Sequence, residues 1–220
     1  MKKFFALVFC AVAAVSPRLL PAEDQPASAA QLGQAVWQAS GGENWSQVRA
    51  IDFTFAVEKG GKTVFSAEHH WDVAAQTDHV KWKDKDVTVN LAEPAADEDA
   101  QAAYARWVND SYWLLAPLKL KDRGVNLAVE GTKKIDGKEC EVLRLSFGKV
   151  GLTPNDQYRL YIDPETKLVT AWDYIEKPGQ SMHATWADYR RSGGLTLAMN
   201  HFTDSGARIR ILNLNVTSSK

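Results

Sequence analysis

Two adjacent histidines, His69 and His70, are the side chains that most suggest a metal site, because imidazole is the commonest metal ligand in proteins. They lie in the stretch KTVFSAEHHWDV, whose alternating pattern is typical of a β-strand. Neighbouring strand residues point to opposite faces, so the pair cannot bind one ion without a bulge. The other histidines, at 79, 183 and 201, complete no HExxH or CxxC spacing. We therefore expect no metal site and no cofactor.

The residue patterns of common enzyme families are also missing. The sequence contains no GxSxG elbow of the kind that serine hydrolases use. The glycine pairs at 41–42 and 193–194 are typical of a helix end and a hairpin turn, since a phosphate loop needs more glycines and a following helix. The acids in ADEDA (96–100) indicate a helix start, and Cys140 in KECEVLRLSF is favoured as a buried structural thiol over a nucleophile. We predict no catalytic residue and no enzymatic activity.

The N-terminal segment predicts export. Lys2 and Lys3 precede an apolar run at 4–15, and the small residues that follow offer a cleavage site after Ala22, with Ala29 as the second choice. An apolar run of about a dozen residues is too short to span a bilayer, which needs roughly 20. We therefore predict a location in the periplasm or otherwise outside the cytoplasm, with a signal peptide at 1–22, a disordered polar lead-in at 23–30 and a single domain at 31–220.

The charge and the cysteine content limit the functions that the mature chain can have. Removing residues 1–22 takes three of the 26 bases and none of the 27 acids, which leaves an excess of four acids. That balance gives no positive surface for nucleic-acid phosphates. It also removes Cys10 and leaves Cys140 as the sole cysteine, so no intramolecular disulfide can form and the fold depends on its core. We expect a monomer that binds no nucleic acid.

Most of the mature sequence predicts β-strands. Leu32, Val36 and Trp37 stand at helical spacing and predict a short helix over 29–39, but from Val48 onward the apolar period changes to two. About eleven strands follow, which favours a mainly β (α+β) fold built on a strongly curved antiparallel sheet or unclosed β-barrel. The apolar positions change phase within KECEVLRLSF and within ARIRILNLNV, which predicts one β-bulge in each.

One helical segment interrupts the strands. The stretch AADEDAQAAYARWVNDSYWLLAPLKL has strong helix formers, acids near its start and apolar residues spaced three and four apart. Pro117 and Gly124 then break it. A segment this apolar, inserted into a curved sheet, is predicted to cover the concave face.

A curved sheet with inward aromatic residues under a helix is an arrangement that can hold an apolar molecule. The same residues can equally form an ordinary packed core, because core and cavity lining have the same periodicity. The candidate ligand-binding residues are the large side chains predicted to face inward from the strands and from the helical segment: Phe53, Phe55, Trp71, Trp82, Trp107, Trp113, Leu114, Leu118, Tyr158, Leu160, Trp172, Trp186 and Met199.

The order of these elements resembles the LolA-like superfamily of outer-membrane lipoprotein-sorting proteins, and most of all its poorly characterised periplasmic members. The resemblance covers nearly all of the mature chain and includes the blocks WVNDSYWLLAPLKLKDRGVNL and DQYRLYIDPETKLVTAWDY. It implies an unclosed β-barrel with a helical lid, whose hydrophobic cavity accepts the acyl chains of a lipoprotein or lipid. The well-studied carrier of the superfamily has an arginine facing its cavity, whereas Arg159, Arg208 and Arg210 here alternate with apolar residues and are predicted to point outward.

Two functions remain open from the sequence. The resemblance implies a carrier or chaperone, with a lipidated protein or lipid as ligand and with an inner-membrane transporter and an outer-membrane acceptor as partners. Such a carrier must hide acyl chains from water, a gain of roughly 0.8 kcal/mol per buried methylene. The alternative is a non-catalytic interaction or sensor module of the cell envelope, in which the protein's own side chains fill the same fold.

Overall fold

The structure is a computed structural model that describes residues 28–148, 152 and 155–219. The predicted signal peptide and the first part of the lead-in, through residue 27, lie outside the described residues. Within them the chain forms two α-helices, α1 (Ala29–Ala39) and α2 (Glu98–Leu115), and two 3-10 helices, at Gly42–Gln47 and Ala116–Lys121. The strands of this part of the chain are β1 (Val48–Lys59), β2 (Lys62–Asp72), β3 (Thr77–Trp82), β4 (Lys85–Asn90), β5 (Val125–Ile135), β6 (Lys138–Phe147), β7 (Gln157–Ile162), β8 (Val169–Lys177), β9 (Gln180–Thr185), β10 (Ala187–Ser192), β11 (Leu195–Phe202) and β12 (Ala207–Ser218).

The strands form two antiparallel sheets that adjoin at one side. The seven-stranded sheet has the order β10-β11-β12-β1-β2-β3-β4, and the five-stranded sheet has the order β5-β6-β7-β8-β9. The chain passes from β9 to β10 through Trp186, whose backbone N–H donates to the carbonyl of Thr170 at 2.7 Å. The predicted mainly β fold with an unclosed, curved sheet is confirmed. The described residues contain twelve strands rather than about eleven, because SMHATWADYR is divided at Trp186 into β9 and β10.

The helical segment connects β4 to β5, which lie at the outer edges of the two sheets. Helix α2 begins where the Asp97 side chain accepts the backbone N–H of Ala100 at 2.9 Å, and two further acids occupy its first turn. After Leu115 the chain continues as a 3-10 helix that contains Pro117, and Gly124 then adopts a φ of +89°. This confirms the prediction of a helical segment. Among the described helices, none is long and apolar enough to cross a membrane.

Helix α1 is defined by its first and last residues. Ser28 accepts the N–H of Gln31 at 3.2 Å, and the Gln31 side chain accepts the N–H of Ser28 at 2.8 Å, which is a capping box. The predicted bounds of 29–39 are confirmed, so residues 29 and 30 are helical and not part of a disordered lead-in. Gly41 ends the helix at a φ of +82°, and a Cβ there would lie 2.2 Å from the carbonyl oxygen of Gly194.

Of the two predicted β-bulges, one is confirmed and one is wrong. In β12 the register against β1 shifts between Asn215 and Leu212, and Asn213 takes a φ of +52° in this bulge. In β6 the alternation is unbroken, and the shift between β5 and β6 lies instead at residues 129–132 of β5. The apolar phase of β6 changes because both faces of the sheet are buried there. Cys140 packs in a small cluster on one face, while Leu143 belongs to the main core on the other.

The main core fills the space between the two sheets, α1, α2 and the 3-10 helix at Ala116–Lys121. A smaller cluster joins α2 to β2, β3 and β4 through Ala103 and Val80. Helix α2 is therefore fixed against the seven-stranded sheet along one side, which leaves its other side to face the five-stranded sheet.

Candidate functional site

A cavity of about 580 Å³ lies between α2 and the five-stranded sheet. This volume falls within the range of about 300–1,000 Å³ that is typical of small-molecule sites. Its lining is mainly apolar and aromatic, and comprises Ala105, Val108, Asn109, Tyr112, Trp113, Phe147, Leu152, Asp156, Tyr158, Trp172, Tyr174 and Met182.

Helical and strand periodicity together place these side chains. The α2 wall uses positions 105, 108, 109, 112 and 113, which share one face because residues three and four apart are neighbours on a helix. The opposite wall uses Tyr158 of β7, Trp172 and Tyr174 of β8, and Met182 of β9. Trp172 and Tyr174 are two positions apart in one strand and so point to the same side of the sheet.

The aromatic rings of the lining contact one another and form a continuous wall. The ring centroid of Tyr158 lies 4.9 Å from that of Trp172, 5.4 Å from that of Tyr174 and 5.0 Å from that of Tyr112. Trp113 of α2 meets Trp172 edge to face at 4.8 Å. These separations are those of favourable aromatic pairs, which hold each other in place.

One buried carboxylate interrupts this apolar surface. Asp156 is 7 % exposed, and its Oδ2 accepts the hydroxyl of Tyr174 at 3.1 Å. In the described part of the chain, its carboxylate has no ion-pair partner. Burial, followed by the hydrogen bond to Asp156, raises the pKa of Tyr174 to about 12. Burial and the charge of Asp156 also raise the pKa of Tyr158, so both phenols stay neutral.

The structure distributes the predicted ligand-binding residues over three environments. Trp113, Tyr158 and Trp172 line the cavity. Trp107 packs from α2 against Trp71, with ring centroids 5.1 Å apart, and Trp82 packs against the small cluster around Val80. The remaining members of the set are buried in the main core: Phe53, Phe55, Trp71, Leu114, Leu118, Leu160, Trp186 and Met199.

Several cavity residues were not predicted from the sequence. Tyr174 lies two positions beyond Trp172 on the same strand face, so its place in the lining could have been found from strand periodicity. Tyr112 lies within the YWLL stretch beside Trp113. Asp156 belongs to the turn sequence TPND, which carries no periodic signal that would direct a side chain into a cavity.

A second polar cluster lies on the opposite side of α2. The His69 imidazole of β2 is hydrogen-bonded through Nδ1 to Asp78 of β3 at 2.7 Å and through Nε2 to Asp110 of α2 at 3.1 Å. All three side chains are completely buried. Arg106 Nη2 lies 3.5 Å from the Asp110 Oδ1, and the ring of Phe53 stacks on the imidazole with centroids 4.6 Å apart.

In this cluster two basic side chains, His69 and Arg106, stand against two carboxylates, Asp78 and Asp110. Burial alone would lower the pKa of His69, but the hydrogen bonds and charges of Asp110 and Asp78 outweigh that effect and raise the pKa. The protonated imidazole therefore joins two carboxylates that come from different elements. Its effect is to tie α2 to the seven-stranded sheet.

The remaining candidate groups do not converge on a site. His70 points to the other face of β2, where it pairs with Asp52 in an exposed position. Cys140 is buried among apolar side chains. Within the residues that the structure describes, no three His, Cys, Asp or Glu side chains are placed to hold a metal ion.

No protein-family model and no curated protein matches the chain. Among solved structures, a LolA superfamily protein from Nitrosomonas europaea has a TM-score of 0.47 and 8 % identity, over 88 % of this chain and 96 % of that one. A DUF1329 family protein from Desulfovibrio piger has a TM-score of 0.45 and 12 % identity, over 84 % and 92 %. A domain assigned as an outer membrane lipoprotein-sorting protein, from Vibrio parahaemolyticus, has a TM-score of 0.44 and 8 % identity, over 84 % and 93 %. Each of these similarities is structural and stands at low sequence identity.

Proposed function

We propose that the protein is a carrier that holds the acyl chains of a lipid or of a lipidated protein in the cavity between α2 and the five-stranded sheet. The observation on which the proposal depends is the cavity itself, because a protein interior that serves only for stability is close-packed. Its mainly apolar lining suits an acyl chain, and each methylene transferred from water gains roughly 0.8 kcal/mol.

The proposed place of action is the periplasm, after removal of the signal peptide. Cleavage after Ala22 would keep Ser28, which caps α1. Cleavage after Ala29 would remove this cap and the first helical residue, at a cost of about 1 kcal/mol for the cap alone. We therefore expect N-terminal sequencing of the exported protein to begin at Glu23. In this proposal an inner-membrane transporter loads the cargo and an outer-membrane acceptor receives it.

The test of the cavity is a variant that fills it. Ala105 lies in the cavity wall, so Ala105→Trp should place an indole in the space that the acyl chain would occupy. Ala102 is exposed on the same helix and does not line the cavity, so Ala102→Trp is the matched control. We expect a fluorescent, uncharged dodecyl analogue and a diacylated lipopeptide to bind the wild-type chain and Ala102→Trp equally, and Ala105→Trp at least about tenfold more weakly.

These binding measurements decide whether the protein is a carrier. If the wild-type chain binds neither probe, or if both variants bind as well as the wild type, the cavity does not hold acyl chains. Native mass spectrometry of protein purified from its own compartment provides a second measurement. Lipids that co-purify at a fixed ratio would support the proposal and identify the cargo.

The interaction or sensor module remains the second candidate, because much of the predicted lining is packed on the helix. Trp71 contacts Trp107 of α2, and Trp172 contacts both Trp113 of α2 and Trp186. A carrier and a module of this kind differ in their ligand content. A clean mass without bound lipid, unchanged on addition of lipopeptide, would favour the module.

A further inference from the structure

The cavity has the two features by which proteins recognise an organic cation, an aromatic wall and a carboxylate. The rings of Tyr112, Trp113, Phe147, Tyr158, Trp172 and Tyr174 all line it. A cation placed over such rings is attracted to their negative faces, and the attraction grows when water is excluded.

No cation of the described residues uses these rings. The cation–π contacts in this part of the chain fall on Phe55, Phe65, Trp107, Trp37, Tyr161 and Phe202, none of which lines the cavity. No side-chain cation of the described residues therefore competes with a ligand for the parts of these rings that border the cavity.

The carboxylate of Asp156 supports the same conclusion. It is buried in the lining, where one neutral phenol donates to it, although an ionised carboxylate can accept about four hydrogen bonds. Among the residues that the structure describes, no cation pairs with this carboxylate, and a bound cation would offset the cost of burying it. A ligand with a negative head would instead be repelled at the same place.

We propose that the ligand is an amphiphile with a cationic ammonium head, which lies between Asp156 and the aromatic rings while its apolar chain occupies the rest of the cavity. This inference rests on the proposed function and names the head group of its cargo. It differs from a site for anionic lipids, which would need an arginine or lysine in the lining, and the lining residues that the structure describes include neither.

The experiment compares ligands with the same chain and different heads. Dodecyltrimethylammonium, dodecylammonium, dodecanoate and dodecyl maltoside are titrated calorimetrically into the wild-type chain, below their micelle concentrations and at low ionic strength. We expect both cationic probes to bind about tenfold or more tightly than the neutral maltoside, and dodecanoate to bind most weakly.

Variants then locate the preference. Asp156→Asn should remove the advantage of the cations and leave the affinity for the neutral probe unchanged. Glu139→Gln is the matched control, because Glu139 is exposed on β6 and does not line the cavity. If Asp156→Asn fails to fold, the order of the four probes on the wild-type chain still decides the question.

Each result has a distinct meaning. Equal binding of all four heads, or tighter binding of dodecanoate, would overturn the cationic head and leave the carrier intact. Absence of binding by every probe would overturn the carrier itself. A cation preference that survives Asp156→Asn would refute the role given to that carboxylate.

Discussion

Replacement of His69 by glutamine tests whether the buried cluster ties α2 to the seven-stranded sheet. Glutamine retains a polar side chain but cannot carry a positive charge. Asp78 and Asp110 would then face each other without the imidazolium, and Arg106, 3.5 Å from Asp110, would be the nearest cation that the structure places on them. Removing one partner of a fully buried ion pair costs about 3–5 kcal/mol, because it leaves an uncompensated charge.

The expected loss is large enough to measure by two methods. A decrease of about 3–5 kcal/mol in the free energy of unfolding corresponds to a decrease in Tm of roughly 6–20 °C for a domain of this size. Urea unfolding followed by tryptophan fluorescence gives the free energy, and calorimetry gives the Tm. The control is His70→Gln, on the same strand, because His70 forms an exposed pair with Asp52 that should contribute at most about 1 kcal/mol.

The pH dependence provides an independent check. The pKa of His69 is raised in the folded state above its ordinary value of 6.5, so its stabilising effect is fully present below that pH. The effect is lost as the pH rises through the folded-state pKa. The difference between wild type and His69→Gln should therefore be larger at about pH 6 than at about pH 9. A loss no larger than that of His70→Gln, or a difference that does not shrink at alkaline pH, would refute the reasoning.

Three further outcomes follow from burial and capping. Leu114 is 0 % exposed, so Leu114→Asp should unfold the protein, whereas Ala102→Asp on the exposed face of the same helix should leave the circular dichroism spectrum and Tm nearly unchanged. Ser28→Ala should lower the free energy of unfolding by about 1 kcal/mol through loss of the α1 cap, and an unchanged value would show that α1 does not depend on it. The thiol of Cys140 is buried and should react with a disulfide reagent slowly in the native state and rapidly in urea, whereas fast native labelling would contradict its burial.

The sequence was sufficient for most of the fold because local signals and tertiary packing agree. Helix α1 has a capping residue at 28, a glycine at 41 and an apolar stripe between them, so its bounds could be predicted to the residue. The bulge in β12 was also predictable, since a single extra residue moves every later side chain to the other face. In β6 the same signal was misleading, because burial on both faces produces a phase change without an extra residue.

The candidate site was less predictable, because a cavity and a core are lined by the same kinds of residue. Trp113 and Leu114 are neighbours that both belong to the main core, yet only Trp113 also lines the cavity. The difference depends on where α2 meets the five-stranded sheet, which is a long-range property. Asp156 could not be assigned from its turn sequence for the same reason.

The two faces of α2 indicate how a ligand would enter the cavity. One face is held to the seven-stranded sheet by Asp110, and Asn109 of the cavity lining donates to the Oδ1 of that carboxylate at 2.7 Å. A lid movement of the whole helix would have to separate Asp110 from His69, which costs several kcal/mol for a buried pair. Leu152, by contrast, belongs to the lining and is 52 % exposed, so it marks a wall that water already reaches. In the carrier that we propose, entry beside Leu152 would therefore require less disruption than lifting α2, and the His69 cluster would hold the helical wall in place.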